Sequence, residues 1–240
     1  MTPSLRTYAT AGAFRSAFEE RLKRTSLSDQ IDLNRLRRQV VFDRLLARLF
    51  REEPAPWVLR GGYALELRFK AARSTVDIYL TLQQVVTATS ASGDTNQVVR
   101  EMLQSGASVP LGNWFEYVIG PPVMDLTAAT YGGAHYPVET RMDERIFARF
   151  HLDAGIGNVI MQPLDTIVYR DWLGFAGIES SSVQMIAREQ VPTAFLPAPA
   201  DWQIRFQVLA EECGLSTDVS AAFASVQEFL DEVLGGQTER

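Results

Sequence analysis

Two glycines and an aspartate carry the chemistry most visible in this sequence. Between Trp57 and Leu82, in WVLRGGYALELRFKAARSTVDIYLTL, a short apolar segment runs into Gly61-Gly62. A helical stretch with Ala64, Leu65, Leu67 and Phe69 follows, and a basic loop then leads into an alternating strand. Side chains alternate along a strand, so Val76, Ile78, Leu80 and Leu82 are expected on one face and Asp77, Tyr79 and Thr81 on the other. A glycine pair lets backbone N–H groups approach an anion at a helix start, and a strand carboxylate facing the same cleft can hold Mg2+ against phosphate oxygens. Each signal has a plainer reading, a tight turn for the glycines and a solvated strand face for the aspartate. Their order along the chain carries the weight.

That order, GGYALELR, then ARST, then a D-I-x-L strand, resembles the first motif of the nucleotidyltransferase superfamily. The specific likeness is to the AbiEii/AbiGii-type toxins of bacterial toxin–antitoxin and phage-defence systems. The family reads GG-x-x-L and then R-x-T-x-D-x-D, and Gly61, Gly62, Leu65, Arg73, Thr75 and Asp77 match it. Tyr79 stands where the second aspartate would be. A phenol is uncharged at neutral pH and adds bulk where a metal would sit, so a site that uses paired carboxylates around its metals is weakened. A third acidic position of the superfamily corresponds to Asp153, which ends the polar face of a strand before Gly155 and Gly157. An aspartate at that place also reads as a turn-former that accepts backbone hydrogen bonds.

The resemblance implies Mg2+ held by Asp77 and Asp153, with Gly61, Gly62, Arg73, Ser74 and Thr75 at the phosphates of an NTP. It further implies nucleotide transfer to an RNA acceptor such as tRNA, and an antitoxin protein as partner. It also exposes a gap. The family carries a lysine and further acidic groups on helices after the segment that matches Arg188, Glu189 and Gln190, whereas here a proline-spaced linker, AFLPAPADW, follows. Lys23 and Lys70 are the only lysines. Two readings of function follow, an impaired transferase and a catalytically inactive relative that binds protein or RNA.

The single cysteine, Cys213, cannot form an internal disulfide, no apolar run is long enough to span a bilayer, and MTPSLRTYATAGAF lacks the apolar core of a signal peptide. A cytoplasmic protein with no membrane contact is expected. With two histidines and one cysteine there is no zinc spacing, and no G-x-S-x-G signals a serine nucleophile. Net charge is −6, unevenly distributed: residues 1–73 carry 15 Lys or Arg against 8 Asp or Glu. A basic third could hold an RNA backbone; the plainer reading has these arginines on helix faces, paired with the acidic remainder.

The elements that must position the motif are legible on either side of it. Phe14, Phe18 and Leu22 recur at helical spacing, and LNRLRRQVVFDRLLARLF predicts a longer helix, with Leu36, Val40, Leu46 and Phe50 interleaved with arginines, that stops at EEPAP. A helix is expected from Asn96 to Gln104, then strands around WFEYVIG and along YPVETRMDERIFARFHLDAGIG. In the latter Ile146, Ala148, Phe150 and Leu152 share one face and Phe147, Arg149, His151 and Asp153 the other. YRDWLGFAGI, residues 169–178, reads as a core-packing loop, with base stacking as its alternative. IRFQVLAEECGL and the stretch with Phe223, Val226, Leu230 and Val233 predict a C-terminal helical pair. The fold class is α+β, a mixed sheet flanked by helices. The expected divisions are an N-terminal helical segment over 1–53, the nucleotidyltransferase-like core over 54–190, and a linker with C-terminal helices over 191–240.

Overall fold

The computed structural model describes residues 8–68, 75–83, 94–126, 132–157, 160, 163–168, 170–178, 182–186, 203, 206–207, 210–211 and 216–235. Two compact units are distinguished, residues 1–68 with 73–187, and residues 69–72 with 188–240. The expected helix over 204–215 lies mostly outside the described residues. In the second unit a helix over Val219–Gly235 begins where the Asp218 carboxylate accepts from the Ser220 and Ala221 N–H groups.

The first unit opens with α1 (Ala11–Asp29) and α2 (Leu33–Leu49). Thr10 and Asp32 cap their N-termini through side-chain oxygens. As the spacing requires, α1 buries Phe14, Phe18 and Leu22. Then come β1 (Trp57–Arg60), α3 (Gly61–Arg68), β2 (Asp77–Leu82), α4 (Thr95–Ala107), β3 (Glu116–Ile119), β4 (Met124–Asp125), β5 (Gly133–Met142), β6 (Arg145–Ile156), β7 (Leu164–Val168) and β8 (Ser182–Ile186). The strands form one mixed sheet in the order β3-β5-β6-β2-β1-β8-β7, with β4 also on β5; β2–β6 and β1–β8 are parallel and the other pairs antiparallel. The α+β expectation is met.

One sheet face packs on the helices. Phe42 of α2 meets Phe150 of β6 at 4.8 Å and Tyr63 of α3 at 4.9 Å between ring centroids, both edge-on, above Ile78, Leu80 and Leu152, all fully buried. From Ala148 onward β6 alternates as its sequence predicts, but Ile146 and Phe147 are exchanged. The register with β5 slips between Thr140 and Arg141, leaving Phe147 inserted between paired residues. That bulge turns Phe147 inward against Phe18 and Phe115 and leaves Ile146 exposed. Val76, expected on the apolar face of β2, precedes the strand and is also exposed.

The arginines of the first two helices serve mainly as internal ties. Arg44 and Arg48 are buried within α2 rather than displayed on its outer face; Arg48 donates to the Phe115 carbonyl at 2.8 Å and to Asn113 at 2.6 Å. Arg15 donates to the Met142 carbonyl at 2.7 Å, and Arg37 pairs with Glu19 at 2.6 Å. The plainer reading of the basic third, arginines on outer helix faces paired with the acidic remainder, is not how these residues are used: they are tied to carbonyls, to Asn113 and, within the same third, to Glu19. The 170–178 segment is a packing loop: Phe175 stacks on Phe14 and Phe18, Arg21 lies 4.1 Å from the Phe175 ring centroid, and Leu173 is buried.

The Trp172 indole donates to Asp43, which also accepts from the Tyr63 hydroxyl, both at 2.5 Å. Asp43 is fully buried, and desolvation, only partly offset by these two donors, pushes its carboxyl up to about 7. A folded-state value above the ordinary 3.8 means that this group's contribution to stability is complete below about pH 4 and is lost as pH rises through about 7. Asp43→Asn is expected to flatten the stability–pH curve between those limits, with a change on the order of a few kcal/mol. Urea unfolding of both forms at pH 4 to 8 measures it.

Candidate functional site

Gly61 follows β1 directly and starts α3 with a φ of +70°, a conformation an L-residue side chain disfavours. A Cβ there would lie 3.1 Å from the Tyr79 Cβ, and one on Gly62 would lie 3.0 Å from the Thr75 Oγ1. The glycine pair is thus pressed against the start of β2, beside its polar face. Glu66, one turn further along α3, fixes this approach. Its side chain is 4% exposed, and it accepts from Arg35 Nε at 3.0 Å, Gln39 Nε2 at 2.8 Å and the Thr75 backbone N–H at 3.1 Å. Arg73 and Ser74 lie outside the described residues.

Strand register assembles the rest. Along the parallel β2–β6 ladder Asp77 stands opposite His151 and Tyr79 opposite Asp153; across β5–β6, His135 stands opposite Asp153. Arg60, the last residue of β1, is opposite Tyr79. Paired residues in neighbouring strands project to the same side, so Asp77, Tyr79, His151, Asp153 and His135 share one face. Both expected carboxylates are on it, with the glycine turn at its β1 side.

The two histidines, which carry no motif in the sequence, are woven between the carboxylates. His135 Nδ1 makes a short hydrogen bond to Asp153 Oδ1. The His135 and His151 rings stack with centroids 4.2 Å apart and planes 28° from parallel. His151 Nδ1 lies 3.6 Å from Asp77 Oδ1. A cavity of about 670 Å3 opens beside Asp77 and His151, bounded by Arg38, Val118, Pro137 and Phe150.

The donor set does not fit a Mg2+ pair held by adjoining carboxylates. Tyr79 stands opposite Asp153 where the second carboxylate of such a pair would be, and Asp153 is engaged by His135. Among the described residues, no helix is long and apolar enough to cross a membrane.

A mixed sheet with a glycine turn abutting a strand that carries carboxylates defines a nucleotidyltransferase-like core. The family model "Nucleotidyl transferase AbiEii toxin, Type IV TA system" matches residues 44–191, and the chain belongs to that family. No curated protein matches it. Among solved structures, one from H. pylori, provisionally described as a nucleotidyltransferase, is 13% identical with a TM-score of 0.37, over 74% of this chain and 68% of the other.

Two substitutions separate the supports of this face. Gly61→Ala forces a side chain into left-handed backbone and onto the Tyr79 Cβ, and is expected to cost about 1–2 kcal/mol. Because Tyr79→Ala retains that Cβ, the double variant should gain nothing back. Glu66→Ala leaves Arg35, Gln39 and the Thr75 N–H without their shared acceptor and is expected to cost about 3 kcal/mol. Thermal unfolding of the four proteins against the parent checks both.

Proposed function

We propose that the protein is a toxin-type nucleotidyltransferase whose transfer of nucleotides from an NTP to an RNA acceptor such as tRNA is impaired. Family membership supplies the reaction class. The observation that carries the reading to these residues is the shared face: Asp77 and Asp153 lie on it, and the glycine turn presses on Tyr79 between them. Under this reading the Gly61 and Gly62 amides, with Arg73, Ser74 and Thr75, meet the phosphates. Asp77 and Asp153 supply negative charge, and Tyr79 accounts for the loss of rate with Mg2+. A cytoplasmic setting and an antitoxin partner that holds the chain in check belong to the same proposal.

A second reading, an inactive relative that binds protein or RNA, draws on a different observation. Asp153 is engaged by His135, and a phenol holds the place of its neighbouring carboxylate. Labelled NTP transfer to total tRNA in Mg2+ separates the two. Slow transfer is expected from the parent chain, a rise of about tenfold or more from Tyr79→Asp, and none from Asp77→Ala. No transfer by the parent or by Tyr79→Asp would remove the enzyme reading. RNA retention that falls steeply between 50 and 200 mM salt would then support the binding module.

A further inference from the structure

The cavity beside Asp77 lies on the side of that residue away from the glycine turn. In the sheet order β3-β5-β6-β2-β1, Gly61 follows β1, Asp77 starts β2, and the cavity extends from Asp77 over β6 and β5 to Val118 of β3. In-line phosphoryl transfer puts the attacking and leaving oxygens on opposite sides of the phosphorus. Under the transfer reading the NTP phosphates meet the glycine turn, so the attacking hydroxyl arrives from the other side, over β6 and β5. At about 670 Å3 the cavity falls within the range of roughly 300–1,000 Å3 for small-ligand sites. Its lining is amphipathic. Pro137 and His151 are register partners across β5–β6 and so share a face, and the His151 ring is stacked on His135. Val118, opposite Glu139 across β3–β5, extends this apolar wall. Two guanidinium groups border it, Arg38 from α2 and Arg149 from β6. Glu139 engages Arg149 through Nε at 3.0 Å and Nη2 at 2.8 Å, and the N–H groups of Nη1 have no other partner among the described residues.

We propose that this cavity holds the 3′-terminal nucleotide of a single-stranded RNA acceptor, its base against Pro137, Val118 and His151 and its phosphate at Arg149 and Arg38. Single-stranded RNA is held in this way by proteins that stack its bases on flat side chains and meet its phosphates with guanidinium groups. The terminal hydroxyl oxygen then bonds to the α-phosphorus of the NTP, and the bond from that phosphorus to the pyrophosphate oxygen breaks. Pyrophosphate leaves on the side of the glycine turn, and the hydroxyl proton passes to water. Asp77 and Glu139 border the cavity too, which makes the guanidinium of Arg149 decisive for an anionic ligand. The proposal rests on the transfer reading for the identity of the acceptor.

Fluorescence anisotropy of the full chain with a 5′-labelled RNA tetranucleotide, in the absence of NTP and divalent cations, tests it. Arg149 is 68% and Val118 46% exposed, so substitutions at either leave the fold intact, which matched thermal midpoints check. Val118→Glu, which puts a carboxylate in the cavity mouth, and Arg149→Ala are each expected to weaken binding about fivefold or more. Arg145→Ala, which removes an exposed arginine outside the cavity, should change it by less than about twofold. An oligonucleotide that lacks only its terminal base should bind the parent chain about fivefold more weakly. With 4-thiouridine at the 3′ end, near-ultraviolet light should cross-link the RNA to peptides that contain Val118, Pro137 or His151. No binding by the parent chain, parental affinity in either Val118→Glu or Arg149→Ala, or cross-links confined to other parts of the chain overturns the proposal. Because no NTP is present, failed transfer with RNA still bound at the cavity counts against the transfer reading alone. Transfer by a parent chain whose RNA cross-links elsewhere counts against this inference alone.

Discussion

The buried Glu66 carboxylate is the constraint on which the candidate site depends. A carboxylate shielded from water is costly unless its oxygens are satisfied. Three donors from different parts of the chain answer it: Arg35 and Gln39 from α2, and the backbone N–H of Thr75 just ahead of β2. The contact to Thr75 matters most for function. It sets where the chain enters β2, and so where that strand starts relative to the glycine turn. Thr75 in turn leaves no room for a side chain on Gly62, and its hydroxyl donates to the Asp77 carbonyl at 3.2 Å. A charge buried in α3 thereby determines which residue of β2 stands beside Gly61.

Once the entry point of β2 is fixed, pairing does the remainder. Side-chain direction has a period of two, so a slip of β2 by one residue along β6 would turn Asp77 and Tyr79 into the core and put Ile78 and Leu80 in water. The hydrophobic face under α2 therefore enforces the polar face above it. The chemistry and the core are two sides of one register, and the aromatic contacts of Phe42 with Phe150 and Tyr63 hold that register from below.

Local pattern made much of this legible in the sequence, and non-local pairing hid the rest. The α1 stripe of Phe14, Phe18 and Leu22, the polar face of β2 and the alternation of β6 beyond Ala148 are each decided within a few residues. The histidines are not. His135 reaches Asp153, and His151 reaches Asp77, only through strand pairing across 18 and 74 positions, which no short motif records. The one available signal was that His151 and Asp153 share the polar face of the same strand. The inward turn of Phe147 was equally hidden, since it comes from a register slip opposite Thr140 and Arg141. Arg44 and Arg48 read as surface residues because nothing in α2 itself announces the carbonyl that Arg48 meets beyond Asn113.

Tyr79 shows why the histidines cannot be treated apart from the carboxylates. Its Cβ is already in contact range of Gly61, so an aspartate there fits the space, but its carboxylate would face Asp153 across the parallel ladder. Two like charges on paired residues repel, and each favours protonation of the other or of a nearby imidazole. With tyrosine at 79, Asp153 instead has a hydrogen-bond partner on its other side in His135, and His135 in turn is stacked on His151 beside Asp77. The phenol and the two imidazoles are thus one solution to the electrostatics of this face: a carboxylate is absent from the middle of the sheet, and nitrogen donors occupy the strands to one side of it. A reversion at 79 returns the second carboxylate of the family pattern while His135 and His151 keep the neighbouring positions, so its gain comes when a dication offsets the charge it adds beside Asp153.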